Sequence, residues 1–549
     1  ELSGSFQQPV ARMSRDSERV VASRRMGSPL GGKGLTTRPT LAQSPRVRQK
    51  ETVFAPTLRV KRGLMGTCSR LFAAIVFSTL LLVTSWVSAA GFEMPDNGTR
   101  ALARGGAFTA LADDLTAIAH NPGALIKLRG SSVLLGNHVF FVHERFTRAQ
   151  TFLEEDRFAN ADLYGLTPLE KVQNEAPIFP LGPFLAAGSD FGLEHFVFAF
   201  ALYAPNAAGG AKWPVTGGQR YMLTEMESIL FYLTGSMAYG VRDTFGVGLS
   251  AQVAMAPSMR MQMVIDGSPN ATATLNPYAS ANDVEAILEV SDLFSFSAIL
   301  GAWWRPTDSI EIGVSGRVVP VMLDATGDFQ LQSVPSPQTQ FSPERLEVTD
   351  SSSRIEMMLA PTARLGVRYR YLQDDREVFD IEADLVYEAW SVMDAMDVEL
   401  NGIINLFGGD KDTPNTTIPR EWSDTLSARL GSTIRFLEGG SVSLGAYYET
   451  GAVPRNYEHI DFMSFDRLGL SIGFGAEIGM FHLQTAYMHV FQETRAVSEA
   501  LGKVYQQRPL SPCPDECLRD EEGISGVPVN AGLFESSYDI FSLSVEAKF

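Results

Sequence analysis

Residues 541–549 read Phe541-Ser-Leu-Ser-Val-Glu-Ala-Lys-Phe549. The odd-numbered residues are apolar and the even-numbered ones are polar, so a β-strand over this stretch has one apolar face and one polar face. Such a strand suits a wall with hydrocarbon on one side and water on the other, and an aromatic residue at its end suits a membrane interface. The stretch is therefore typical of a membrane-crossing strand, provided that the pattern recurs.

The same alternation recurs along most of the chain after residue 130. It is present in residues 245–255, 309–318, 427–436, 441–448 and 467–478. None of these apolar faces carries Lys or Arg, either of which costs roughly 2–4 kcal/mol at the midplane of a membrane. A soluble β-sandwich would show the same alternation with its apolar face turned inward. The alternation alone leaves both architectures open.

The lengths of the connections separate the two architectures. Fourteen candidate strands begin near Ser131, Phe179, His195, Ser228, Thr244, Asp292, Ser309, Ala360, Val378, Thr425, Ser441, Arg467, Phe481 and Tyr538. Every second connection is short, namely residues 190–194, 241–243, 305–308, 372–377, 438–440 and 479–480. Those between them are long and polar, as in residues 148–178, 324–354 and 499–537. This pattern predicts an all-β fold, a 14-stranded antiparallel transmembrane β-barrel with short periplasmic turns and long outer loops.

The chain divides into four parts on this prediction. Residues 1–64 are rich in Arg, Ser and Pro, and we expect a disordered extension outside the natural product, which would start at Met65. Residues 65–90 predict a signal peptide, because Arg70 precedes an apolar run that ends in small residues. A single transmembrane helix is the alternative for that run. Residues 91–130 form an N-terminal segment, and residues 131–549 form the barrel.

Charge and cysteine content narrow the classes of partner. From Gly91 onwards the chain has 31 Lys and Arg against 59 Asp and Glu, a net charge of −28, which argues against nucleic acid. Cys513 and Cys517 lie in the last long loop and are candidates for a disulfide in an oxidising exterior. That loop contains no His, so we predict no metal and no cofactor. His482 and His489 fall on opposite faces of one strand and no Gly-x-Ser-x-Gly motif occurs, so we predict no catalytic residues.

Residues 91–130 are too apolar for a linker and lack the alternation of a strand. They contain Gly91-Phe-Glu-Met, then Gly105-Gly-Ala-Phe-Thr-Ala-Leu-Ala-Asp-Asp114, then His120-Asn-Pro-Gly. Asp113 and Asp114 can start a short helix, and Pro122 must end one. This segment resembles the start of the FadL-type family of long-chain fatty acid outer-membrane transporters, which includes importers of aromatic hydrocarbons. The shared positions are Gly91, Phe92, Gly105, Ala112, Asp113, Asp114, Asn121 and Pro122, whereas Gly123 departs from the usual Ala.

Three later motifs are similar to strands of the same family. They are Ala389-Trp-Ser391, Trp422-Ser-Asp-Thr-Leu-Ser-Ala-Arg-Leu-Gly431, and Ala446-Tyr-Tyr-Glu followed by Val453-Pro454. The resemblance implies that residues 91–130 form a hatch plugging a 14-stranded barrel in the bacterial outer membrane. It also implies a monomer among outer-membrane lipids, with the barrel assembly machinery recognising the last strand at Phe549.

The function that the resemblance implies is passive uptake of hydrophobic molecules, with long-chain fatty acids favoured as the ligand. The ligand would bind in the lumen, the hatch would rearrange, and release would occur sideways through a kink in the third strand. The candidate lateral gate is Ala204, Pro205, Gly209 and Gly210, which either kink that strand or simply end it. An aromatic hydrocarbon channel and a general porin or structural barrel are the alternatives.

Candidate ligand-binding residues come from the hatch and from the polar faces of the strands. Those of the hatch are Phe92, Met94, Phe108 and Leu111, which can instead pack the plug. Those of the strands are Arg317, Arg364, Arg368 and Arg429, because a lumenal Arg can hold a carboxylate through two hydrogen bonds. The acidic row Asp380, Glu382, Asp384 and Glu388 on the next strand favours cross-strand ion pairs for most of these arginines.

Overall fold

A computed structural model describes residues 97–149, 170–205, 210–266, 283–334, 346, 348–406, 409–413, 415–437, 439–505 and 528–549. All of them belong to one compact unit, Phe77–Phe549. The predicted extension and signal peptide therefore lie outside the described residues. So do Gly91, Phe92, Met94, Gly209, Cys513 and Cys517.

Strands make up most of the described chain. They are β1 (Ser131–Arg148), β2 (Val172–Gln173), β3 (Ile178–Ser189), β4 (Phe196–Tyr203), β5 (Gly210–Lys212), β6 (Leu223–Val241), β7 (Phe245–Asp266), β8 (Asp283–Thr307), β9 (Ile310–Val319), β10 (Val321–Ser333), β11 (Val348–Leu359), β12 (Thr362–Gln373), β13 (Arg376–Glu388), β14 (Ala395–Leu406), β15 (Gly409–Asp412), β16 (Thr416–Pro419), β17 (Thr425–Leu437), β18 (Gly440–Glu449), β19 (Arg467–Ile478), β20 (Phe481–Gln492), β21 (Arg495–Val497) and β22 (Gly532–Lys548). The helices are α1 (Thr99–Leu102), α2 (Ala117–His120) and three 3₁₀ helices (Pro122–Lys127, Trp390–Val392 and Arg455–Tyr457). None of the helices described is long and apolar enough to cross a membrane.

Fourteen strands close into a ring in which every neighbouring pair is antiparallel. The order around the ring is β1, β3, β4, β6, β7, β8, β9, β12, β13, β17, β18, β19, β20 and β22. The last strand returns to the first, with Ser132 opposite Lys548 and Arg148 opposite Gly532. Closure pairs the strands on both sides except beyond the end of β4, and such pairing is needed because an unpaired backbone group is costly in the membrane. The predicted 14-stranded barrel is confirmed.

The alternation in the sequence corresponds to the two faces of the wall. On β22 the side chain of Leu543 is 61% exposed, whereas that of Ile540 is fully buried. Equally exposed apolar side chains lie on the outer faces of the neighbouring strands, such as Leu135 on β1. A continuous exposed apolar belt around a closed barrel is a surface for lipid.

Five strands, β10, β11, β14, β15 and β16, extend the wall outward beyond the ring. β9 continues into β10 across Pro320, β11 precedes β12 across Pro361, and β14 follows β13. The predicted loop 324–354 is therefore wrong in part, because β10 runs to Ser333 and pairs with β8 and β11. Its outward residues are polar because they meet water rather than lipid, and this polarity made the stretch resemble a loop.

Residues 97–129, here called the N-terminal segment, fill the inner end of the barrel. Their backbone approaches the wall where it carries glycine, since a Cβ at these glycines would lie within 3 Å of atoms of the segment. These glycines are Gly246, Gly248, Gly301, Gly313, Gly366, Gly431, Gly445 and Gly473. They lie on seven of the fourteen strands of the ring, and helix α1 also contacts β1, β20 and β22, so the wall contacts the segment on most sides.

Adding one carbon at Gly445 should displace the N-terminal segment and leave the barrel closed. In Gly445→Ala the new Cβ would lie 2.0 Å from the carbonyl carbon of Arg104, and such overpacking costs roughly 1–3 kcal/mol. We expect faster tryptic cleavage within residues 97–129 of the folded protein, with unchanged heat-modifiable mobility on gels. The control is Gly235→Ala, where no atom lies within 4 Å. Equal cleavage of the two variants would contradict the prediction.

Candidate functional site

Four consecutive backbone N–H groups of the N-terminal segment bind two carboxylates of β13. The first two, in residues 108–111, donate to Asp384 Oδ2 at 2.9 Å each. The other two donate to Glu382 Oε1 at 2.6 and 3.2 Å. Successive N–H groups that point the same way form a concave anion-binding nest. The acidic row of β13 therefore binds the segment as well as the arginines that the sequence predicted.

Two cations of the segment complete its attachment to the wall. The buried Arg104 Nη1 lies 2.7 Å from Asp380 Oδ1 and donates to Thr433 Oγ1 at 2.5 Å. Lys127 Nζ lies 3.2 Å from Glu311 Oε2 and 4.5 Å from the ring centre of Trp303. Removing one partner of a buried ion pair typically costs 3–5 kcal/mol, because the other charge is left uncompensated.

Asn121 and Gly105 of the motifs have specific packing roles. Asn121 Nδ2 donates to the carbonyl oxygens of Thr109 and Ala302 at 2.9 and 3.0 Å, while its Oδ1 accepts from Gly123 N–H at 3.1 Å. Gly105 has φ of +62°, and its N–H donates to a serine of β19. At Gly123 a Cβ would lie 2.7 Å from Gly301 O, so the glycine allows the backbone to pack closely against β8.

The acidic pair Asp113 and Asp114 does not start a helix, contrary to the expectation from the sequence. Helix α2 begins at Ala117 and ends before Pro122, as expected of the proline, but Asp113 and Asp114 lie in the preceding turn. Asp113 Oδ1 lies 2.5 Å from Arg100 Nη1. Burial raises the pKa of Asp113, but the charges of Arg100, Lys127, Arg368 and Lys548 together outweigh burial and hold the pKa well below its usual range.

The candidate binding residues of the segment and strands occupy packed positions. Phe108 and Leu111 are fully buried, and the Phe108 ring meets His120 edge-on at 5.4 Å. Arg368 Nη1 donates to Glu311 Oε2 at 3.0 Å, and Arg429 Nε donates to Ser427 Oγ at 3.0 Å. Arg317 Nη1 donates to Ala360 O at 3.4 Å, and Arg364 lies opposite Ser315 and Val386 in the sheet.

The third strand of the ring is interrupted. β4 ends at Tyr203, although its neighbours β3 and β6 run on to Ile178 and Leu223. Pro205 follows and cannot donate a ladder hydrogen bond. The predicted strand 195–210 is therefore too long, because its outer piece is a separate strand, β5. Among the described residues, no strand fills the space between residues 178–183 of β3 and 228–231 of β6.

A cavity of about 570 Å³ lies at this interruption and extends into the lumen. Ala204, Pro205 and Gly210 of the predicted lateral gate line it. Its other apolar walls include Phe179, Met226, Phe231, Met357, Phe462 and Met463. Arg317, Arg364, Arg368 and Arg429 are not among its lining residues. The volume and the apolar lining are those of a site for a small hydrophobic molecule.

A second, smaller cavity of about 70 Å³ lies in the outward extension. Its lining is almost entirely apolar and includes Met261, Met263, Leu288, Phe329, Leu400 and Ile418. Methionine suits such a wall because its flexible side chain adapts to ligands of different shape.

Sequence reasoning missed three features of this site. Pro180 and Pro183 lie on β3 beside the interruption, and two prolines in one strand are a readable signal of a free edge. The lumenal glycines are a second signal, since they recur on the polar faces of several strands. The contribution of residues 461–464 to the cavity has no local signal, because it depends on how a long loop folds inward.

A closed outer-membrane barrel with a filled inner end and an apolar lumenal cavity defines a transporter of hydrophobic molecules. The chain belongs to the outer membrane protein transport protein family (OMPP1/FadL/TodX), whose model matches residues 80–509. This is a family of transport proteins rather than of enzymes. A search of curated protein sequences finds no match.

Solved structures share the fold at low sequence identity. A FadL homologue from Pseudomonas aeruginosa has a TM-score of 0.63 and 16% identity, with 84% of this chain and 100% of that chain covered. The toluene transporter TodX of P. putida has a TM-score of 0.57 and 12% identity, with coverage of 83% and 99%. The toluene transporter TbuX of Ralstonia pickettii has a TM-score of 0.56 and 15% identity, with coverage of 83% and 100%.

Acidification should loosen the N-terminal segment through His120. Burial lowers the pKa of His120 to about 3, and Arg364 and Arg429 act in the same direction. A depressed pKa gives stability that is complete above the unfolded value near 6.5 and is lost as the pH falls toward 3. At pH 5 the loss is on the order of 2 kcal/mol.

Hydrogen exchange of residues 97–128, corrected for intrinsic rates, measures this loss between pH 7 and pH 5. The matched variant is His120→Gln, which keeps a donor for the Asn97 carbonyl, 2.6 Å from His120 Nε2, but does not titrate. We expect the exchange rates of the variant to depend much less on pH than those of the unchanged protein. An equal pH dependence in both proteins would show that His120 is not the titrating group.

Proposed function

We propose that this protein carries hydrophobic molecules passively from the medium into the outer membrane, with sideways release at the interrupted third strand. The observation that carries the proposal is the apolar cavity lined by Ala204, Pro205 and Gly210 at the end of β4. A lumenal cavity that meets a gap in the hydrogen-bonded wall offers an apolar ligand a route that avoids the aqueous periplasm.

The two cavities provide successive apolar environments. A ligand that leaves water for the outer cavity gains roughly 25 cal/mol per Å² of apolar surface that it buries. The larger cavity then buries more of the ligand, and membrane lipid buries all of it. Each step is downhill for an apolar molecule, so the route requires no chemistry on the ligand.

The N-terminal segment acts as the hatch in this proposal. Helix α2 touches β4, and the 3₁₀ helix Pro122–Lys127 touches β4, β6 and β7, so the segment underlies the interruption. A shift of this end of the segment would change the inner margin of the gap. The same segment weighs against a general porin, because it fills the lumen that an open pore would need.

The charges around the large cavity bear on the choice of ligand. Its two cationic lining residues are already engaged: Lys212 Nζ lies 3.2 Å from Glu225 Oε2, and Arg467 Nε donates to Glu449 Oε1 at 2.7 Å. Glu144 and Asp461 also line the cavity. An ionised carboxylate would have to compete with these acids, so the cavity favours an uncharged ligand. The sequence predicts long-chain fatty acids as the ligand. The charge of the ligand's head group is therefore the property to test.

Ligands with the same chain and different heads should separate these alternatives. We expect oleyl alcohol to bind the purified protein in mild detergent roughly tenfold more tightly than oleate at pH 8, a difference of about 1.4 kcal/mol. Tighter binding of oleate would favour the fatty acid assignment, and toluene in competition tests the hydrocarbon branch. Binding of none of the three, with ion conductance across a planar bilayer, would instead support a porin.

A bulky residue at the interruption should slow release. Ala204→Trp fills the cavity beside Tyr203, and we expect uptake of a fluorescent hydrophobic ligand by cells to fall roughly tenfold. The control is Ala363→Trp, which adds the same side chain to the exposed outer face of β12. Unchanged uptake by Ala204→Trp would place the route elsewhere, through the N-terminal segment.

A further inference from the structure

The connection between β18 and β19, residues 451–466, folds into the barrel instead of lying on its surface. Arg455 is its one exposed residue. Loops normally run over the surface because buried backbone groups need partners. Here partners are supplied from distant elements, as when Asn530 Nδ2 donates to the carbonyl oxygens of Asn456 and Glu458 at 2.9 and 3.1 Å.

The loop crosses the lumen. It leaves the ring between its eleventh and twelfth strands, yet His459 Nε2 accepts the Leu223 N–H of β6, the fourth strand, at 3.4 Å. Tyr538 on β22 donates to Met463 O at 3.4 Å. Contacts with strands so far apart in the ring place the loop across the outer mouth of the large cavity.

Two buried ion pairs hold the loop in this position. Arg420, between β16 and β17, donates from both terminal nitrogens to Asp461 at 3.0 and 2.5 Å. Arg495 on β21 donates to Glu458 Oε2 at 2.8 Å and to Val453 O at 2.7 Å. A bidentate Arg–carboxylate pair fixes geometry as well as charge, so the loop is attached at two points, one before β17 and one on β21.

The inner side of the loop forms part of the cavity wall. Phe462 and Met463 line the cavity, and the Phe462 ring meets Trp422 edge-on at 5.9 Å. The size of the space left for a ligand therefore depends on these two side chains.

We infer that residues 451–466 form an outer plug that closes the large cavity to the medium, and that Phe462 and Met463 on it set the size of ligand admitted. The closure stands on the contacts of the loop alone, whereas the role in ligand size rests on the proposed function. The plug is distinct from the N-terminal segment, which occupies the opposite end of the barrel. Admission of a ligand then requires the Arg420–Asp461 contact to open.

Labelling of a buried thiol tests the closure without any ligand. The parent protein has Met357→Cys in the cavity wall, with Cys513→Ser and Cys517→Ser, and is treated on intact cells with a charged maleimide. We expect Asp461→Asn to raise the labelling rate about tenfold, because it removes the charge that holds Arg420. The control is Asp324→Asn, which breaks an exposed pair with Arg354 and should leave the rate unchanged.

Heat-modifiable mobility confirms that each variant is folded. Folded Asp461→Asn protein with the labelling rate of its parent would overturn the plug. If Asp461→Asn fails to fold, Phe462→Ala carries the test, since it enlarges the cavity and should raise both thiol labelling and the affinity for oleyl alcohol relative to toluene. Faster labelling with no binding of either ligand would keep the plug and reject the proposed transport function.

Discussion

The buried carboxylates of β13 are the constraint on which the interior of the barrel depends. Asp380, Glu382 and Asp384 face a lumen closed to bulk water, where an unpaired charge costs several kcal/mol. Arg368 and Arg435 of the wall pair with Asp380, and Arg104 and the N–H groups of residues 108–111 supply the other partners. Since these partners belong to a segment outside the wall, the barrel and its filling form one electrostatic unit, and neither is complete without the other.

The distribution of residue types along the lumen follows from that constraint. A backbone N–H must come within about 3 Å of a carboxylate oxygen, so the wall beside the segment carries glycine, as at Gly431 and Gly445. Further outward no backbone has to approach the wall, and larger apolar residues such as Met226 and Met357 line it. The change from glycine and charge to apolar bulk marks the floor of the cavity.

The sequence predicts what depends on local periodicity. Lipid on one face of the wall requires every second residue of a strand to be apolar. The 14 strands, including the strand at residues 541–549, could therefore be predicted from the sequence. The anion-binding nest at residues 108–111 could not be predicted, because its donors are backbone N–H groups, which every residue except proline has. The burial of His459 and Asp461 depends on partners such as Leu223 and Arg420 that are remote in sequence. The break after Tyr203 was indicated by Pro205, and Pro180 and Pro183 on the neighbouring strand are a second signal of it.

The proposed sideways release agrees with the number of interactions that a ligand would have to break on each of the two ways out of the barrel. A ligand passing inward must displace a segment held by Arg104, Lys127 and the hydrogen bonds of residues 108–111, and each buried ion pair opened leaves a charge without its partner. A ligand moving sideways meets a wall in which β4 has already ended and in which Pro183 has no N–H to pair. Fewer interactions have to be broken on the second path, so the proposed release requires the N-terminal segment only to adjust at the margin of the gap rather than to leave the barrel.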